Sequence, residues 1–362
     1  MQLQLLEAIE KRKQNELWCK QKEENQMVQD LKGKRILLIA LPGYRDGIIT
    51  KMRELGAETD LIHDKPNDGF ICKTLGRYQV GFFQEVLNHY YRKALEPLKS
   101  RDYDYILSIR GEYTPISTLK LLKNYFPNSK LILYIWDGLH KRNTKGIEKK
   151  WPYYDKVYTF DRIDYEEHKK ELLFQPLYYY EDYLPKELSV SNKESFIYDL
   201  SFIGTGHDDR IPIVKNVMEQ CRKNGLRCFS YFYVPHQMVF LRDKICNQYY
   251  KNVKLSDVRF EKISFSQLYQ IYANSKCVID VENAGQHGLT MRSIEILGLK
   301  RKLITTNKDI KNYDFYNSSN VFILDRKNPV MDMEFFNVPY QMLEDDMYKK
   351  YSLENWIFEV LK

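Results

Sequence analysis

A chain of 362 residues exceeds the size at which one hydrophobic core keeps growing, so two domains of roughly 150 to 200 residues are expected. Hydrophobic residues make up 43% and charged residues 29%, which excludes disorder across the chain, and no segment reaches the ~20 apolar residues that span a bilayer. The net charge of +7 is spread over Lys-rich helices instead of one block, which favours anionic ligands or an anionic membrane surface and gives no specific sign of nucleic acid.

The first residues, MQLQLLEAIEKRKQNELWCK, lack a basic head followed by an apolar run, so no secretion signal is expected. The six cysteines form no C-x-x-C pair and read as free thiols of a reducing compartment. Both readings point to a cytoplasmic protein. Residues 1–32 are rich in Gln, Glu and Lys with scattered apolar positions, the pattern of a mostly solvated helical extension.

From residue 33 the pattern changes. KRILLIALPGYRDGIITKMRELGAETDLIHD gives an apolar strand (36–41), a Gly/Pro loop, an amphipathic helix and a second strand, which is a βαβ opening. Helix 79–98, strand 105–109, helix 115–125, strand 131–136, strand 156–160, helix 163–171 and strand 173–177 come next. Strands alternating with helices predict a parallel sheet covered on both faces. The polar stretch YLPKELSVSNKES (183–195) separates this first domain, 33–185, from a second, 196–336.

The second alternation runs through strand 198–204, helix 210–224, strand 227–233, helices 236–246 and 265–274, strand 276–282, helix 289–298 and strands 302–305 and 320–324. The tail, 337–362, carries Leu353, Trp356, Ile357, Val360 and Leu361 at helical spacing and is expected to pack on a domain or on the domain junction. The fold class is therefore α/β, two doubly wound domains in tandem. Ligands of such sheets bind at the carboxyl ends of strands, so the loops after 41, 109, 136, 160, 204 and 282 bound the expected site.

The most informative of these is CVIDVENAGQHGLTMRSIEILGLKRKLITTN (277–307), a buried strand, a Gly-containing loop, a helix opening near Thr290 and another buried strand. Loop amides and a helix N-terminus suit a diphosphate. Arg292 in the first helical turn would add charge, and Glu295 one turn on could accept the two hydroxyls of a ribose. The bland alternatives are a solvated Glu295, a surface ion pair for Arg292 and a loop-capping His287. A second phosphate-compatible turn is DLSFIGTGHDDR (199–210), with Gly204, Thr205, Gly206 and then Arg210 at a helix start; a lone G-x-G is equally a tight turn.

The strand–loop–helix with Gly288, Leu289, Thr290, Glu295 and Gly298, ahead of KLITTN, resembles the donor-site signature of GT-B glycosyltransferases, particularly bacterial capsule and lipopolysaccharide enzymes and their CgeB-like relatives. The resemblance is specific over about residues 199–307. It implies two Rossmann-like domains facing across a cleft, with the donor on the C-terminal one. In retaining members the signature has two Glu with seven residues between them, the second binding the donor ribose; the matching positions here are His287 and Glu295. His287 thus stands where the family has a carboxylate, and Glu282 lies upstream at a different spacing, which leaves the stereochemistry open.

On the N-terminal side, Gly43 and Gly47 in ALPGYRDG offer either a close backbone approach to a sugar or only a βα turn. Arg110 and Glu112 of SIRGEY, and Asp137 and His140 of YIWDGLHKR, end strands and face the expected cleft. Asp137 is either a base that deprotonates an acceptor hydroxyl or a loop cap. Asp164 reads as a helix N-cap with Glu167 in a capping box, and Asp161 as a weaker site candidate. Asp102-Tyr103-Asp104 precedes its strand, which takes it away from the cleft. No zinc-ligand spacing, Walker loop or G-x-S-x-G occurs, so neither a metal nor a cofactor is expected.

These readings combine into a nucleotide-sugar-dependent transferase. Its acceptor, by the resemblance, is a glycan or lipid-linked oligosaccharide, met in the cytoplasm or at the inner face of the membrane. Two rivals are a sugar-nucleotide 2-epimerase of the same fold and a non-catalytic glycan-binding or assembly protein.

Overall fold

The computed structural model describes residues 31–41, 45–66, 81–141, 144–184 and 196–362. The expected N-terminal helix up to residue 30, Gly43 and the boundary stretch 185–195 lie outside the described residues. The first lobe contains β1 (Arg35–Ala40), α1 (Arg45–Glu54), β2 (Glu58–His63), α2 (Gly81–Leu95), β3 (Tyr105–Ile109), α3 (Ile116–Tyr125), β4 (Lys130–Ile135), β5 (Lys156–Thr159), α4 (Arg162–Glu167) and β6 (Leu173–Phe174). The second contains β7 (Tyr198–Thr205), α5 (Arg210–Lys223), β8 (Cys228–Tyr233), α6 (Gln237–Cys246), β9 (Val258–Arg259), α7 (Phe265–Ala273), β10 (Ser275–Asp280), α8 (Met291–Gly298), β11 (Lys302–Thr305) and β12 (Val321–Ile323). Three further helices close the chain: α9 (Glu334–Asn337), α10 (Asp345–Lys350) and α11 (Leu353–Leu361).

Each lobe is built on one sheet of six strands, ordered β2-β1-β3-β4-β5-β6 and β12-β11-β10-β7-β8-β9. Every pairing is parallel; Leu38, for example, is in register with Leu61 on one side and Leu107 on the other. Continuous apolar strands such as RILLIA and KLILYI form this sheet because helices cover both of its faces. Among the described strands, sequence periodicity misses the two-residue β9, which is too short to carry a pattern, and it gives neither of the short helices α9 and α10. It also runs helix 163–171 four residues too far and reads β6 as five residues instead of two.

One apolar cluster spans the lobes. It joins Leu38 and Tyr134 of the first sheet, Tyr178 to Tyr180 of the connecting segment, Ile294 and Leu297 of α8, and Trp356 and Ile357 of α11. After leaving the second lobe, the chain packs α11 on α1 and β4 of the first. The Trp356 ring lies 4.7 Å from that of Tyr134 and 4.9 Å from that of Tyr178, and the Tyr179 N–H donates to the Tyr351 carbonyl at 2.9 Å. Gly47 serves this packing: a side chain there would run into the Tyr180 ring, so its smallness seats α1 on the connecting segment. No described helix is long and apolar enough to cross a membrane.

Candidate functional site

The carboxyl ends of β7 and β10 form the second lobe's rim. Asp280 ends the apolar run of β10 with no exposure, and its two oxygens organise the start of the next helix. One accepts from Arg292 Nη1 at 2.7 Å; the other accepts from Thr290 Oγ1 at 2.6 Å and Ser293 Oγ at 2.8 Å. Thr290 also caps α8 by accepting from the Ser293 N–H. The first turn of α8 is thus pinned to the strand before it.

Sequence position assigns Arg292 to a diphosphate. Its guanidinium is instead spent on the protein: besides Asp280, Nε donates to the Tyr272 hydroxyl at 2.9 Å and Nη2 donates to the Ile203 carbonyl, while the plane sits 4.9 Å above the Phe202 ring. Gly204 makes room for this, because a Cβ there would lie 2.5 Å from Nη2. Arg292 is therefore a positioning group that ties β7, β10 and α8 together. Leu289 is buried in the apolar cluster that spans the lobes.

Glu295, one turn further, is 5% exposed and makes no side-chain hydrogen bond with a described residue. Burial pushes its carboxyl up to about 7, against the pull of neighbouring Arg292. A buried carboxylate without donors is costly, and a ligand's hydroxyls would relieve that cost.

Arg210 has the complementary character. It is buried, and it donates to carbonyls, Val281 at 2.7 Å and Thr205 at 2.9 Å, with no carboxylate in contact. Burial, then Arg292, lowers it to about 10. An anion beside it would stabilise its charge. Of the turn amides expected to bind phosphate, that of Gly206 is taken by the Tyr233 carbonyl at 2.8 Å. Thr205 is exposed.

The Gly288 N–H is likewise taken, and by the other lobe. It donates to Asp161 Oδ2 at 2.7 Å, and a Cβ at 288 would meet the Phe160 ring at 2.5 Å. Asp161, not Asp164, is the cap of α4, accepting from the Ile163 N–H at 3.0 Å. Asp164 sits inside the helix, accepts from the Leu139 N–H at 2.8 Å, and is raised to about 6 by burial. A second bridge between the lobes pairs Arg162 Nε with Asp309 at 3.0 Å.

Glu282, the upstream alternative to a carboxylate at 287, has both oxygens engaged by the protein. Its oxygens accept from Thr306 Oγ1 and from Arg326 Nη1, the latter at 2.8 Å, and Arg326 also grips Asp209. His287 is exposed; its ring lies 6.3 Å from that of His140, which extends from the opposite lobe.

On the first lobe's rim, Arg110 and Gly111 both adopt left-handed backbone, with φ of 75° and 70°. For Arg110 that conformation costs energy, and it turns the guanidinium onto Glu112 at 2.9 Å and Asp137 at 3.0 Å. Asp137 is also paired with Lys141 at 2.6 Å. Each of its oxygens is thus engaged by a cation, and the expected acceptor base is part of an ion-pair chain. Below, Lys150 donates to the carbonyls of Gly111 and Glu112 at 2.8 and 2.7 Å, and burial lowers it to about 8. Beside this network a cavity of about 150 Å³ opens between Leu41, Arg45, Arg110 and Trp136. Asp104 lies at the opposite, amino end of β3, paired with Lys34.

Sequence reasoning misses Asp280, Asp161, Arg162, Asp309, Lys150 and Arg326 as parts of the site, or ranks them low. Asp280 carries a signal, a carboxylate at the end of an apolar strand. The others interact over 38 or more residues with partners that no spacing announces.

No family model matches the chain, and no curated protein matches it in sequence. Solved structures do match in shape. An alpha-glucosyltransferase in complex with UDP and a mismatched DNA superposes with a TM-score of 0.55 at 14% identity, covering 90% of this chain and 94% of that one. Sucrose-phosphate synthase from Thermosynechococcus elongatus gives 0.53 at 12% identity, covering 91% and 94%. UDP-GlcNAc 2-epimerase from Methanocaldococcus jannaschii gives 0.51 at 11%, covering 90% and 99%. At these identities the likeness speaks to fold. The two doubly wound lobes have the GT-B arrangement.

Proposed function

We propose that this chain is a glycosyltransferase that takes its sugar from a nucleoside-diphosphate donor, held mainly by the second lobe. The observation that carries the reading is Glu295, a 5% exposed carboxylate with no side-chain hydrogen bond from a described residue. The donor ribose would supply the missing hydroxyls. The diphosphate would lie by Arg210 and the turn at 204–206, its charge offset by a guanidinium that no carboxylate contacts. Arg292 and Asp280 would hold α8 in place without touching the ligand.

The acceptor would enter from the first lobe, by the cavity under Arg110 and Trp136. A glycan or lipid-linked oligosaccharide of cell-surface polysaccharide synthesis, met in the cytoplasm or at the inner membrane face, fits the sequence resemblance. Leaving-group charge would be neutralised by side chains and helix dipoles without a metal. Asp137 is a poorer candidate base than His140, whose ring faces His287 across the cleft and which burial lowers toward its neutral form.

Thermal-shift titration with UDP, ADP, TDP and GDP tests the reading. One diphosphate should raise the melting temperature, and Glu295→Gln should abolish most of that rise. Equal stabilisation of the variant, or none of the wild type by any diphosphate, would overturn it. The epimerase reading is supported by the shape match to UDP-GlcNAc 2-epimerase and predicts conversion of a sugar nucleotide with no acceptor present. A non-catalytic glycan-binding role, suggested by His287, predicts no turnover of any donor.

A further inference from the structure

Helix α6 is apolar on two sides. Phe240 faces inward at 8% exposure, while Met238, Leu241 and Ile245 on the other side are 65%, 53% and 77% exposed. At 100° per residue those three positions fall within an arc of about 60°. An exposed apolar stripe of this kind marks a contact surface. Tyr249, 45% exposed, lies directly after the helix.

The segment that carries the stripe is cationic. Residues 236–262 contain six Lys and Arg against three Asp and Glu. Two of the three carboxylates are already neutralised, Asp243 by Arg242 at 2.6 Å and Asp257 by Lys215 at 2.7 Å. Lys251 and Lys254 are exposed, and Lys244 donates to the Lys251 carbonyl, which folds this segment back against α6. Protein-docking faces are depleted in lysine, whereas a bilayer interface accepts apolar side chains with lysines reaching to anionic headgroups around them.

We propose that α6 and the turn after it form a docking surface for an anionic lipid bilayer, with Met238, Leu241 and Ile245 inserted and Lys251 and Lys254 at the headgroups. The surface is tied to the proposed donor site, because the Tyr250 hydroxyl donates to the Gly206 carbonyl. Docking there would hold the cleft beside the membrane, where a lipid-borne acceptor resides. The proposal stands on exposure and charge, and does not require the donor reading to hold.

The test is co-sedimentation of the full chain with phosphatidylglycerol-containing vesicles and with pure phosphatidylcholine vesicles. Binding to the first and not the second, weakened by salt, is expected. The double variant Leu241→Asp/Ile245→Asp should lose more than about tenfold in partitioning, and Lys251→Glu/Lys254→Glu should lose binding to the anionic vesicles. All four side chains are exposed, so both variants should melt with the wild type and keep its nucleoside-diphosphate shift, which separates this result from the fate of the donor reading. Wild-type protein left in the supernatant, or pelleting equally with both vesicles, overturns the proposal. So does light scattering that shows a dimer split by Ile245→Asp, which would make a second copy the occupant.

Discussion

The Asp161 carboxylate of the first lobe accepts the Gly288 backbone N–H of the second at 2.7 Å, and both groups are buried. The same side chain caps α4, so one residue fixes a helix start and the spacing of the two lobes. Asp161→Ala removes both functions and leaves a buried N–H unpaired. A loss of about 2–3 kcal/mol in urea unfolding is expected from cap and orphan donor together. Nucleoside-diphosphate affinity should fall as well, because Gly288 anchors the loop that carries His287. Unchanged affinity would mean that the 283–288 loop keeps its place without the other lobe.

Glu295 makes the fold pH-sensitive. Its carboxyl is raised from 4.5 to about 7 by burial, so between those values the folded chain retains a proton that the unfolded chain has released. Stability therefore falls as pH rises through this window and levels above it, by on the order of 3 kcal/mol for this group alone. Glu295→Gln carries no such charge. Without ligand the variant should be the more stable protein at pH 8, with the advantage shrinking toward pH 5, as read from urea midpoints. A pH-independent difference would show that ionised Glu295 already has partners in the free protein.

Arg326 balances two carboxylates, Glu282 and Asp209, at 2.8 and 2.6 Å. Arg326→Ala leaves a pair of like charges at the base of the loop after β10. A loss of roughly 3 kcal/mol at neutral pH is expected from uncompensated, largely buried charge. It should diminish in acid, because burial already raises Glu282 and protonation then removes the repulsion. Melting curves at pH 5 and 7 compare the two conditions.

Arg292→Lys preserves charge but not the fork that reaches Asp280, Tyr272 and Ile203 at once. We expect a destabilisation of about 2 kcal/mol or more and a loss of diphosphate binding through displacement of α8. If Arg292→Lys binds as the wild type does, α8 is held by Thr290 and Ser293 alone.

The strands are legible because their burial on both faces leaves long apolar runs: periodicity locates YILSI and KLIT to the residue. Glu295 and the helix that carries it are legible for a related reason, since a phosphate-compatible loop must lie between a buried strand and a helix start. Element ends are less so. In sequence the spacing to Glu167 puts the helix cap at Asp164, whereas in the fold Asp161 accepts the first amides of α4 and Asp164 accepts from the Leu139 N–H instead.

By itself, then, the sequence determined two parallel sheets, the course of their long strands and the rim on which a ligand would sit, because these depend on periodicity along the chain. What Arg292, Asp137 and the Gly288 amide do was decided by tertiary structure. In sequence each faces a ligand, and in the fold each finds a protein partner first. Hydrogen-bond satisfaction depends on groups brought close in space, Arg110 for Asp137 and Asp161 for Gly288, and no local pattern encodes that proximity.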